Sequence, residues 1–537
     1  MRATPRRTVL LAVASVALAL VAGACQRGDH QGDRVTAPDP SARVAAAVAE
    51  LSDGDLVGQV LVPSIDLSAS PESAAALVSR YHLGGVVLMG DPGSGDPVAR
   101  VRALTGALQQ ASAGLGLTLD RDTDMLVATD QEYGSVTRIR SGILQLPSAM
   151  AFGAAGRPEL TEAAWRAAGA DLASIGINVD FAPDADVTAT PGNTVIGSRS
   201  YGSTPAAVGE HVAAAVRGLQ AAGVAATLKH FPGHGNTTTD SHEALPVLGQ
   251  SLADLTGADL PPFQAGIGAG SWLVMSGHLD VAAVEKGVPA SFSSKVLGPL
   301  LRGQLGFGGV VVTDALNMAP AMAWPPGEAA VRALLAGNDL LLMPPDLAAA
   351  RQGLLDALAS GRLPRARLLD AVTRIATLRY RLADVSPNPA PVSADADRDA
   401  ANAVAAGAVT VLRGACNSSL VQAPVRITAS DGFARPAAWL ADELRRRGVE
   451  VSDTGGSLVR LVGYGDGPDQ LVPGAAVTVA MDTPYVLATA DSPALLATYS
   501  STEPALRAVA AVIAGRATAV GRSPVAVAGL PRTACTD

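Results

Sequence analysis

The sequence predicts an α/β protein, a (β/α)8 barrel followed by a smaller α/β sandwich-like domain. Three observations predict it. The chain has 537 residues, whereas single cores rarely grow beyond roughly 250 to 300 residues before splitting. From Arg43 to about Ala383, short β-rich apolar runs alternate with longer helical patterns, the signature of repeated βα units around a parallel sheet. The stretch Val385-Ser-Pro-Asn-Pro-Ala-Pro391 then interrupts the pattern, because its prolines oppose both helix and central strand. These breaks set the expected organisation: barrel 43–384, linker 385–399, second domain 400–537.

The expected barrel strands begin at Val57-Gly-Gln-Val-Leu-Val62, Gly85-Val-Val-Leu-Met89, Met125-Leu-Val-Ala-Thr129 and Ile177-Asn-Val-Asp-Phe181. Four more follow at Val224–Leu228, Trp272–Met275, Val310–Thr313 and Leu340–Met343. Glu159 to Ser174, Pro205 to Ala222 and Leu252 to Ala269 carry the apolar periodicity of helices covering a sheet. Beyond the linker, Val425–Ile427, Val459–Val462 and Ala476–Ala480 alternate with helical patterns near Ala437 to Arg447 and Glu503 to Ala514. A barrel of this kind places its chemistry at the carboxyl ends of its strands, where polar residues gather here. Asp130 ends the third strand, Asp184 and Asp186 follow the fourth, Lys229 and His230 the fifth, His278 the sixth and Asp314 the seventh. Any one of them could merely cap the next helix; their recurrence points to a shared site.

Composition excludes one class. A net charge of −9 offers no basic field to neutralise phosphates, so nucleic acid is not an expected partner. At the amino end, Arg2, Arg6 and Arg7 precede an apolar run from Val9 to Ala22, which reads as an export signal over 1–25. The run is short for a transmembrane helix. Ala22-Gly-Ala-Cys25 resembles a bacterial lipobox, which implies lipidation at Cys25; the alternative is a cleaved secretory signal. Residues 26–42 then read as a polar tether. The expected location is the outer face of the cell membrane as a lipoprotein, otherwise secreted. Cys416 and Cys535 remain, and in an exported chain they are candidates for a disulfide.

The most informative stretch is Lys229-His-Phe-Pro-Gly-His234-Gly-Asn-Thr-Thr-Thr-Asp240-Ser-His242. His230 and His234 have the i,i+4 spacing of a zinc helix, but Pro232 and Gly233 between them oppose that helix, so no metal is expected. A loop leaving a strand end is the better description. Within it Asp240 can orient the imidazole of His242 and stabilise its protonated form, which suits a group that gives a proton to a leaving oxygen and recovers one from water.

With its partner motif Gly306-Phe-Gly-Gly-Val-Val-Val-Thr-Asp314-Ala-Leu-Asn-Met318, this stretch resembles glycoside hydrolase family 3, in particular its β-N-acetylglucosaminidase (β-hexosaminidase) branch. Supporting pieces are Asp130-Gln-Glu132, Asn178–Asp186, Ile196-Gly-Ser-Arg199-Ser-Tyr201 and Met275-Ser-Gly-His278. The resemblance covers about residues 50 to 383, and more faintly the last domain. It implies an exo-acting retaining enzyme that removes terminal β-linked N-acetylglucosamine, with Asp314 as nucleophile and His242, oriented by Asp240, as general acid/base. It also implies that Asp130, Arg138, Arg199, Lys229 and His230 grip sugar hydroxyls, with His278 and Asp184 as further pocket candidates. No cofactor is implied.

A histidine in place of the usual second carboxyl group marks the branch, and a neutral base repels an anionic acceptor less, so phosphorolysis stays open beside hydrolysis. The sequence departs from the family pattern at Tyr133, a common glycine position, at Ser135, a common arginine, and at Ala315, where an acid is frequent. The expected substrates are N-acetylglucosamine-containing glycans or muropeptides, in peptidoglycan turnover. The alternatives are a β-glucosidase or broader hexosaminidase, an N-acetylglucosamine phosphorylase, and a non-catalytic sugar-binding lipoprotein.

Overall fold

A computed structural model describes residues 40–115, 117, 119, 123–188, 191, 193–385 and 394–535. The expected export signal, Cys25 and most of the tether lie outside the described residues, as does most of the linker. Helices begin inside both expected connectors, at Pro40–Ala49 and Ala394–Ala408.

The barrel is built from β1 (Leu61–Val62), β2 (Ser64–Asp66), β3 (Gly85–Met89), β4 (Leu126–Thr129), β5 (Val179–Asp180) and β6 (Ala225–Phe231). A short pair outside it, β7 (Val247–Leu248) and β9 (Asp280–Val281), ties the loops after β6 and β8 (Leu273–Ser276) together. β10 (Val310–Thr313) and β11 (Leu341–Leu342) complete the set. Seven strands form one parallel sheet in the order β10-β8-β6-β5-β4-β3-β2. β1 pairs in parallel with β11, Leu61 opposite Leu341, and Val312 bridges Leu340 to join β11 to β10. The run from Leu61 to Asp66 therefore changes partner at Pro63: before it the chain bonds to the last strand, after it to β3. That switch closes the ring.

The first strand begins later than its apolar run suggests. Val57 to Val60 lie in the helix Asp53–Val60, whose N-cap Ser52 accepts from Asp55 N at 3.1 Å. Two acids in its first turn favour that end, and Leu56, Val57 and Val60 bury its inner face. The cap and the helical spacing outweigh the β-branched run. The helix expected over Leu252 to Ala269 is two, Leu252–Ala258 and Leu260–Gly268. Pro261 and Pro262 supply no N–H, so they fit only a first turn and force a new start.

The second sheet has β12 (Thr410–Arg413), β13 (Val425–Ala429), β14 (Ser457–Val462), β15 (Val477–Ala480) and β16 (Ala494–Ala497), in the order β12-β16-β15-β14-β13. Only β12 runs antiparallel. The helices Ala434–Arg446 and Glu503–Ile513 pack over one face around Leu440, Leu444, Leu506 and Val509. The other face shares a core with the barrel's helix Ala149–Ala155, where Met150 and Ala154 meet Leu412, Leu487 and Tyr499. Cys416 and Cys535 are joined, with Cα atoms 5.5 Å apart.

Candidate active site

The carboxyl ends of the barrel strands converge on a charged network. Lys229, buried near the end of β6, places its ammonium 2.9 Å from Asp130 Oδ1 and 2.6 Å from Glu132 Oε1. Glu132 in turn receives Arg199 through both carboxylate oxygens, Nε at 2.7 Å and Nη2 at 2.9 Å. Such a fork fixes orientation as well as charge. Arg199 Nε also lies 3.1 Å from Asp184, and Nη2 lies 3.4 Å from His230 Nε2. Arg138 approaches Asp130 at 3.6 Å, and its Nε has no hydrogen-bond partner. Lys229 is thus buried between the two carboxylates that it bridges.

The electrostatics follow from burial set against neighbours. Burial would raise Glu132, but Arg199 and Lys229 hold it far below the usual carboxylate range. Asp184 is pushed well up, by burial and by Asp186 and Glu132, against the pull of Arg199. Asp186 is raised by burial to about 6, although it accepts from His230 N, from His234 N at 2.7 Å and from His230 Nδ1 at 2.8 Å. Adjacent buried carboxyls oppose each other's ionisation, which is one cause of the rise at Asp184. Asp184, Asp186 and His230 bring ligand-type atoms within 4.8 Å of one another. Their charge is already answered by Arg199 and by the ring N–H of His230. His234 turns away from a shared site with His230, bonding Thr237 at 2.8 Å and Ser241 at 3.1 Å.

Asp314 ends β10 with its amide bonded to Ser276 O at 2.9 Å, and its Oδ1 accepts from Ala315 N at 2.8 Å. Burial works against its charge, but His230, His278, the Ala315 amide and Lys229 bring it net below the ordinary carboxylate value. It is therefore an ionised carboxylate in low-dielectric surroundings, the state a nucleophile needs. His278 is fully buried and spends both ring nitrogens on protein, Nδ1 on Ser291 at 2.6 Å and Nε2 on Ala315 O at 3.0 Å. With both ring nitrogens bonded to protein, His278 braces the chain beside Asp314.

Asp240 and His242 form the expected pair, Oδ1 meeting His242 Nδ1 at 2.7 Å and His242 N at 2.8 Å. Burial would raise Asp240, but the His242 amide and ring lower it. The pair stands apart from the buried network, with 66% of the His242 side chain and 39% of the Asp240 side chain exposed. His242 meets Asp314 in no bond, although its charge is felt at His278. The stem of this loop is fixed where a Cβ on Gly235 would strike the Val187 carbonyl. Its tip is held through Ser241 by His234.

Sequence reasoning quoted Glu132 but gave it no role; its place two residues after Asp130, just past a strand end, was the available signal. Tyr133 explains one departure from the family pattern. Its φ is +66°, a left-handed value that glycine adopts without cost, and its ring is retained by edge-on packing against Trp165 at 5.7 Å.

Residues 54–378 match the model of the glycosyl hydrolase family 3 N-terminal domain. Beta-hexosaminidase A of Pseudoalteromonas piscicida is 34% identical over 385 residues, 64% of this chain and 63% of that protein. Beta-hexosaminidase LpqI of Mycobacterium tuberculosis is 34% identical over 401 residues, 71% of this chain and 97% of that protein. The structure of a glycoside hydrolase family 3 beta-N-acetylglucosaminidase from Paenibacillus superposes with a TM-score of 0.79 at 31% identity, over 90% of this chain and all of the other. With Asp314 at the end of the seventh stave and the paired charges of Lys229, Arg199 and Glu132 at neighbouring strand ends, the chain belongs to glycosyl hydrolase family 3.

Proposed function

We propose that the chain is an exo-acting, retaining β-N-acetylglucosaminidase that removes terminal β-linked N-acetylglucosamine from peptidoglycan fragments. The observation that carries the reading is Asp314, buried at a strand end and held below the ordinary carboxylate value beside His230 and Lys229. The relatives named beta-hexosaminidase support the sugar class. In the first step an Asp314 oxygen attacks the anomeric carbon, the glycosidic C–O bond breaks, and protonated His242 gives its proton to the leaving oxygen. In the second, His242 takes a proton from water, the hydroxide attacks the same carbon, and Asp314 leaves as a carboxylate. For His242 to reach the glycosidic oxygen its exposed loop must fold over the bound sugar. Asp130, Arg138, Arg199, Lys229 and His230 form the grip.

The test is release of p-nitrophenol from its β-N-acetylglucosaminide by residues 26–537, with the β-glucoside as control and with phosphate present or absent. Turnover of the acetylated sugar alone is expected. Equal turnover of both sugars would leave a broader glycosidase, and formation of sugar 1-phosphate would make phosphate the acceptor. We propose further that the protein works at the outer face of the membrane, anchored through Cys25. A Cys25→Ala chain found still in the membrane fraction would end that part of the reading.

A further inference from the structure

Arg199 reaches its partners from the end of a single tight turn, Gly197–Arg199. The inner side of this segment is fixed to the catalytic motif: Asn193 Nδ2 donates to His234 O at 2.9 Å and Gly235 O at 3.2 Å, while Ile196 N donates to Asn193 Oδ1 at 2.9 Å. The outer side is held by the second sheet. The hydroxyl of Ser198, the residue before Arg199, donates to the carboxylate of Asp482, in the loop that leaves the carboxyl end of β15. Beside it, a Cβ on Gly197 would sit 3.6 Å from Thr483. Four residues beyond Arg199, Ser203 donates to Pro524 O from its amide at 3.1 Å and from its hydroxyl at 3.0 Å. The turn is thus clamped on both flanks by residues far along the chain.

We propose that Asp482 is a positioning residue for the reaction, fixing Ser198 so that Arg199 presents its guanidinium squarely to Glu132 and Asp184. The inference rests on the glycosidase reading above. Its physical basis is the geometry of the fork. Arg199 grips Glu132 with two prongs in fixed directions, and Glu132 shares Lys229 with Asp130, so a shift of the turn propagates to the groups that would hold the sugar. Misplacement of such a grip by about 1 Å costs up to about 100-fold in rate even when no reacting group is touched. A half-buried carboxylate is a costly way to fasten two surfaces, because burial pushes Asp482 upward in opposition to its bonds from Ser198 and the Thr483 amide. A merely cohesive interface gains more from apolar contact, as the shared core at Met150 and Leu487 does a short distance away.

The test uses the chain from residue 26 to the end and compares Asp482→Ala, Asp482→Asn, Ser198→Ala and the double alanine variant. Asp482→Ala and Ser198→Ala are each expected to lower kcat/KM for the p-nitrophenyl substrate by about 10-fold, and the double variant by no more than either alone, because both delete one interaction. Asp482→Asn, whose amide oxygen accepts the same bond, is expected to keep most of the activity. Hydrogen exchange of amides 193–203 should rise in Asp482→Ala while the thermal midpoint holds. Unchanged kcat/KM in Asp482→Ala overturns the inference, whether or not exchange rises. So does a loss that Asp482→Asn fails to restore, or one that follows a fall in thermal midpoint. A wild-type chain inactive on every sugar removes the glycosidase reading and this inference with it, whereas an active wild type with variants at parity removes the inference alone.

Discussion

The molecule contains two parallel α/β layers whose loops emerge at the carboxyl ends of their strands, and they use that edge differently. The barrel's edge is crowded with charge: Asp130, Glu132, Asp184, Asp186, Arg199, Lys229, His230 and Asp314 lie in one linked network. At the corresponding edge of the second sheet the bonds run mostly through hydroxyls and main chain. Ser430 meets Asp466, and Thr498 donates to Ser500 O at 2.9 Å. Among the described residues, no basic group is paired with Asp482 or Asp466. Architecture alone therefore assigns no chemistry. Opposed charges held out of water do, and among the described residues none pairs at that edge of the second sheet.

The largest effect expected of this contrast is at Asp314. Asp314→Asn should lower kcat by about 10⁴-fold or more, since an amide neither attacks nor leaves as a carboxylate. Because the folded enzyme holds Asp314 below its ordinary value of 3.8, the reaction loses its nucleophile only as pH falls through that lower point. A kcat/KM profile whose acid limb, tracked on Asp314, lies above pH 4 would contradict the electrostatic account. His242→Ala should cost about 10³-fold with an unactivated disaccharide, and less with p-nitrophenol, which leaves without a proton. Equal losses on both substrates would deny His242 the role of acid.

Arg199→Lys should cost about 100-fold in kcat/KM and also destabilise the fold. A lysine cannot reproduce the two-pronged bond to Glu132, and a buried pair broken at one partner costs about 3 to 5 kcal/mol. Urea unfolding read alongside kinetics separates the two losses. At the other extreme, Cys416→Ser should leave kcat/KM unchanged while lowering stability by about 2 to 4 kcal/mol, the range for a cross-link that closes a long loop; here the bridged residues are 119 apart. A fall in activity at constant stability would show that the bridged end of the second domain acts on the chemistry by a route other than Asp482.

Much of the barrel could be read before folding because each βα unit carries its own local signal. Gly85 to Met89 and Val310 to Thr313 appear where their β-branched runs lie. The motif around His230 and the aspartate at 314 were legible for the same reason, as short spans whose residue types are unusual together. What was hidden depended on distant partners. The Ser52 cap before Val57 is the exception, a local signal masked by the apolar run that follows it. Glu132 acquires meaning only from Arg199, 67 positions away, and Asp482 only from Ser198, 284 positions away. The place of His278 at a strand end is visible in sequence, whereas the partners that saturate its ring, Ser291 and Ala315, are not.

The switch of partners at Pro63 has a further consequence, for how the protein is made. The strand that seals the barrel is the first to leave the ribosome, and its partner at Leu341 and Leu342 is among the last of the barrel to emerge. Until then β1 and β10 each offer an unpaired parallel edge, the kind of surface that recruits another chain. A product truncated between Thr313 and Leu340 should therefore accumulate as aggregate, and extending it through Met343, whose amide bonds Val62 O at 2.8 Å, is the smallest addition that lets the ring shut.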